Sequence, residues 1–111
     1  TEEIMALPAL KQIVTTGTVS SMAVPLASET IQATDDLILH LKTTGTATTV
    51  TFTDPGSTPS GSAATNPQVV MGATEERFIY VQATLASPAT GLIAAAFSGA
   101  LTGVTGEWLR M

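Results

Sequence analysis

Cysteine is absent from this 111-residue chain, histidine occurs once, and charged side chains make up only 12% of it. Without cysteine there is no disulfide framework and no thiolate metal site. The basic residues are Lys11, Lys42, Arg77 and Arg110, set against nine acidic ones for a formal net charge of −5. A sequence-independent nucleic-acid binder must neutralise several phosphates, so four scattered cations argue against that role. The longest apolar run, Leu92 to Phe97, falls far short of the ~20 residues of a membrane-spanning helix. Glu2 and Glu3 precede the first apolar residue, the reverse of a secretory leader's basic start. Partners among nucleic acids and membranes are therefore not expected.

Aromatic side chains are also few: Phe52, Phe78, Phe97, Tyr80 and Trp108. A glycosidase needs two carboxyl groups across a cleft lined for sugar, usually with aromatics, and most of these five fall at core positions of strands. The adjacent acidic pairs are weak as catalytic groups, because neighbours on a strand point to opposite faces and neighbours in a turn both face water. A nucleophilic triad needs a base, and only His40 is offered. It sits mid-strand, opposite a row of leucines, where a surface or interface histidine with one hydrogen bond is expected. Asp35, Asp36 and Asp54 end strands, and loop oxygens suit calcium, but no spaced acidic loop accompanies them, so turn-forming Asp is the reading. Gly99 to Gly106 lacks the lysine of a phosphate loop. No catalytic residue, cofactor or metal ion is expected, and the chain reads as a non-enzyme.

What the chain has in plenty is threonine, close to one residue in five, spread from Thr15 to Thr105. β-Branched residues lose χ1 freedom in helices and suit a pleated surface, where hydroxyls keep an outer face wet without ions. At this length a single core forms, burying roughly 65% of the unfolded surface. Apolar runs of strand length alternate with turn signals every 8–15 residues or so, the spacing of a sandwich or barrel. Strands are expected at Gln12–Ser20, Met22–Leu26, Leu37–Thr43, Thr46–Thr53, Gln68–Met71, Arg77–Gln82, Leu92–Phe97 and Val104–Arg110. Val50 and Phe52 alternate with Thr49, Thr51 and Thr53; Leu37, Leu39 and Leu41 alternate with His40 and Lys42. Phe78 to Val81 is apolar on both faces, which suits a central strand or one covered by a partner. Trp108 fits a core position better than an interface anchor.

The fold class expected is all-β: one antiparallel β-sandwich or jelly-roll-like domain of about eight short strands over residues 11–111. Residues 1–10 form an extended N-terminal arm, kept from regular helix by Pro8. Its apolar residues Ile4, Met5, Leu7 and Leu10 are the expected contacts to a neighbouring chain. The connections Pro55–Asn66 and Ser87–Gly91 are rich in Ser, Thr, Gly, Ala and Pro, and long loops of this kind are functional or mobile.

Four segments together resemble a small capsid-associated protein of tailed bacteriophages, of the kind encoded beside the major capsid protein. They are Met5-Ala6-Leu7-Pro8-Ala9-Leu10, Thr51 to Gly61 (TFTDPGSTPSG), Arg77-Phe78-Ile79-Tyr80-Val81 and Ser87-Pro88-Ala89-Thr90-Gly91. The resemblance implies a head decoration, or cement, protein on the virion exterior, made in the host cytoplasm. Such a β-rich module binds the assembled shell and braces joints between subunits of the major capsid protein, commonly as a homotrimer with a terminal arm reaching onto the capsid. A competing reading is an immunoglobulin-like adhesion or carbohydrate-binding module working through its loops. Another is a neck or tail component of the virion.

Overall fold

The computed structural model describes residues 7, 9–14, 17, 22–57 and 59–111. Among them are eight strands: β1 (Lys11–Gln12), β2 (Ser28–Gln32), β3 (Leu37–Thr43), β4 (Thr48–Phe52), β5 (Gln68–Met71), β6 (Glu76–Val81), β7 (Leu92–Phe97) and β8 (Val104–Arg110). One sheet has the order β1-β8-β3-β6 and the other β2-β7-β4-β5. Every pairing is antiparallel except β1 with β8, which run parallel. The expected all-β sandwich is the fold observed.

Partners in an antiparallel ladder point to the same face, so the register shows what each sheet turns inward. Leu37, Leu39 and Leu41 of β3 lie opposite Val81, Ile79 and Arg77 of β6, and opposite Arg110, Trp108 and Gly106 of β8. From the facing sheet come Val50, Phe52, Met71, Ile93, Ala95 and Phe97. With Leu37, Leu39, Leu41, Val81 and Trp108 they form one buried core, against which Ile79 packs, so Trp108 lies inside the core as expected. Gly106 is needed for close packing. A Cβ there would stand 2.7 Å from Leu41 Cδ2, 3.1 Å from the His40 carbonyl and 3.2 Å from Leu7 Cδ2.

Two strand expectations need correction. The region Met22–Leu26 makes a single bridge, Ala23 with Gly106, because Pro25 has no N–H to extend a ladder. The strand of that region is instead Ser28–Gln32, whose polar sequence hides its role: Ile31 faces Ile93, and Glu29 faces Ala95 on the core side. Among the described residues of Gln12–Ser20, only Gln12 lies in a strand; residues 15, 16 and 18–20 lie outside those described.

β6 is an edge strand, not a central one. Its outer apolar residues therefore have no neighbouring strand beyond them.

Two side-chain hydroxyls secure the connections. Thr43 Oγ1 donates to the Gly72 carbonyl at 2.6 Å and accepts the Glu75 N–H at 2.9 Å, fixing the β5–β6 turn to β3. Thr48 Oγ1 donates to the Ser98 carbonyl at 3.0 Å, fastening the end of β7 to the start of β4.

Candidate interaction face

His40 is paired with Phe78 on β6 and with Glu107 on β8. All three therefore stand on the outer face of the sheet, where Glu76 joins them from the next position along β6. The imidazole lies flat on the Phe78 ring, with centroids 4.1 Å apart and planes 8° from parallel. His40 Nδ1 is 2.9 Å from Glu107 Oε2, and Nε2 is 2.6 Å from Glu76 Oε2. His40 is 6% exposed and Glu107 2%. The single-bond surface histidine expected is thus replaced by a buried clamp joining β6, β3 and β8.

A carboxylate accepts but does not donate when ionised, so the ring satisfies both carboxylates at once only when each nitrogen carries a hydrogen. Neither nitrogen points to open solvent as a base toward a substrate would. Chemically, the arrangement holds three strands in register and fixes the plane of Phe78. Beyond that ring the surface is aromatic and open: Phe78 is 66% exposed and Tyr80 61%. The outer face therefore presents two adjacent aromatic side chains on a rigid support.

The signal for this cluster was present in period-two alternation. His40 is even-numbered on a strand whose odd positions are leucines, so it had to share the outer face with its cross-strand partners. Which carboxylates those partners would be depends on strand order, which alternation does not supply.

The other candidate residues fall elsewhere. Leu7 and Leu10 are partly buried and pack against this chain's own core. The Leu7 N–H donates to Glu29 Oε2 at 3.1 Å, and the same oxygen accepts the Leu26 N–H at 2.7 Å. The inward carboxylate of β2 thereby roots the N-terminal segment on the body. Sequence reasoning missed Glu29, since one acid in a polar run carries no mark of burial. Ile4 and Met5 lie outside the described residues.

Asp36 holds a turn at φ 55°, and Asp54 Oδ1 accepts the Gly56 N–H at 2.9 Å, so both act as turn residues. Among the described residues no group of three or more His, Asp or Glu side chains is placed to hold a metal ion. None of their helices is long and apolar enough to cross a membrane.

Glu75 sits in the β5–β6 connection. The Gly72 backbone N–H, and secondarily the Arg77 guanidinium whose Nε lies 3.1 Å from Glu75 Oε1, hold its carboxyl below the ordinary value of 4.5. Comparison with protein families, curated proteins and solved structures finds no match to this chain.

Proposed function

We propose that this chain is a structural, non-enzymatic virion protein of a tailed bacteriophage. In this reading it binds the outer surface of the assembled capsid and stabilises contacts between major capsid protein subunits. The phage assignment rests on the four resembling segments. The bracing role is supported by the root of the N-terminal segment: Glu29 binds the Leu7 N–H from a buried position. A rooted segment has a fixed point of departure, and association then orders fewer residues. Ile4 and Met5, which precede the root, are the proposed contacts on the shell, with Leu7 and Leu10 sharing whatever surface they keep exposed. Short Thr, Ser and Ala side chains on the body lose little rotamer entropy when covered, and mild negative charge keeps the free protein soluble at high concentration.

The test is co-sedimentation with finished empty shells and, separately, with free capsid subunits. Binding to shells alone, weakened by deleting Thr1–Ala6 while the body unfolds cooperatively as before, supports the reading. Equal binding to free subunits, or none to shells, overturns it.

One observation favours a second reading, a carbohydrate-binding module. Beside the connection after β4 lies a cleft of about 270 Å³ where Asp54, Gln82 and Thr84 gather over Phe52 and Val69. Polar groups over an apolar floor suit a small polar ligand such as a sugar. Retention on a glycan array, lost on Asp54→Ala or Gln82→Ala, would support it.

A further inference from the structure

The outer edge of β6 is open for pairing. Within its sheet β6 adjoins only β3, and the Thr43 N–H donates to the Glu75 carbonyl at 2.8 Å. In an antiparallel pair, alternate residues turn both backbone groups toward the neighbour. Glu75, Arg77, Ile79 and Val81 thus bond β3, while Glu76, Phe78 and Tyr80 turn N–H and C=O off the sheet. Among the described residues nothing bonds these six groups. Natural edges are commonly blunted by Lys, Pro, a bulge or an inward-pointing charge. Glu76–Val81 contains no Lys or Pro, its register with β3 runs unbroken through six pairs, and its inward charge, Arg77, is engaged by Glu75 Oε1 at 3.1 Å.

We infer that β6 pairs antiparallel with β6 of a second copy of this chain, about a two-fold axis passing beside Phe78. The occupant follows from self-complementarity. A half-turn sets Phe78 against Phe78 of the second copy and Glu76 against its Tyr80, in both directions. All three off-sheet residues of each copy then exchange paired hydrogen bonds, which leaves none of the six groups unmade.

The side chains match as well. Glu76 uses Oε2 on His40, so Oε1 is left to accept the opposite Tyr80 hydroxyl. The Phe78 rings meet at the axis, each held flat by its own His40. On the inner face Arg77 lays its methylene stem against Ile79.

Neighbouring registers fit less well. Sliding by two residues one way brings Gln82 opposite Glu76, but the Gln82 carbonyl already accepts the Leu85 N–H at 3.1 Å. Sliding the other way carries Tyr80 past the start of β6 to Thr74. A slide of one residue puts core-facing side chains against outward ones. The contact is isologous and closes as a dimer, joining two four-stranded sheets into one continuous sheet. It goes beyond the capsid reading and does not depend on it, because the test uses purified chain alone.

Sedimentation equilibrium of the full chain is expected to show a mass rising with concentration to twice that of one chain. Tyr80→Pro removes an off-sheet N–H and spares the β3 ladder, so it should give a monomer with its sheet circular dichroism retained. Single cysteines test the register even if that variant fails to fold. Paired residues with Cα atoms about 5.5 Å apart lie within disulfide reach, and the native chain has no cysteine. Phe78→Cys should cross-link to itself on mild oxidation. Tyr80→Cys should not, since its two copies stand roughly 13 Å apart along the strands, but it should cross-link when mixed with Glu76→Cys. A monomer at every concentration, a trimer unchanged by Tyr80→Pro, or Tyr80→Cys cross-linking as fast as Phe78→Cys would overturn the pairing.

Discussion

Glu107 Oε2 lies 2.9 Å from His40 Nδ1, and the two residues are separated by 67 positions in the chain. Both are buried on a sheet face that the core does not cover. Removing Glu107 leaves Nδ1 of the buried His40 without its partner while Nε2 keeps Glu76, a loss typically of about 1–3 kcal/mol. Glu107→Ala should therefore lower unfolding stability by about that amount in urea titrations. The double variant His40→Leu/Glu107→Leu should lose markedly less than the two single losses combined, and strict additivity would count against coupling.

The bond between Glu29 and Leu7 makes a local prediction. Glu29→Ala leaves the Leu7 and Leu26 N–H groups without their acceptor, at a cost of about 1–3 kcal/mol. Amide exchange at those two residues should speed up more than exchange in β3 and β8. Uniform acceleration throughout the domain would mean that Glu29 supports the whole core and not specifically the N-terminal segment.

Gly106→Ala places a methyl group 2.7 Å from Leu41 Cδ2, against a fully buried side chain. Overpacking of this kind costs about 1–3 kcal/mol. The midpoint of denaturant unfolding should fall with an unchanged slope. Restoring the midpoint with a Leu41→Val partner change would identify the clash as the cause.

Glu75 gives a pH signature with a definite sign. The Gly72 N–H, and after it Arg77, hold its folded-state carboxyl below 4.5. A lowered value means that the ionised group stabilises the fold above 4.5, and that this contribution is lost as pH falls through the lowered value. Wild type should exceed Glu75→Gln in stability at neutral pH and converge with it on the acid side of 4.5. A difference that persists in acid would assign the effect to the side-chain shape and not its charge.

Much of the fold was legible because alternation is a local signal. Leu37, Leu39 and Leu41, or Val50 and Phe52 between threonines, declare a strand and its inner face without reference to any other segment. Ser28–Gln32 was illegible for the same reason. Its inward residues are Glu29 and Ile31, and a carboxylate turned inward reads as solvent-facing until the backbone N–H groups that receive it are known. Phe78–Val81 signalled a strand apolar on both faces, but alternation cannot separate a central strand from an uncovered edge. The His40 cluster needed strand order, since Glu76 and Glu107 reach it only because β6 and β8 flank β3.

The parallel pairing of β1 with β8 has a consequence for the order of assembly. β8 lies between β1 and β3, so a strand near the chain's start docks against one near its finish. During synthesis, the first sheet must wait as separate pieces until Val104–Arg110 leaves the ribosome. The facing sheet needs nothing beyond Phe97 and is complete earlier. A prematurely terminated product would thus display half a sandwich with its greasy side bare, a ready substrate for chaperones and proteases.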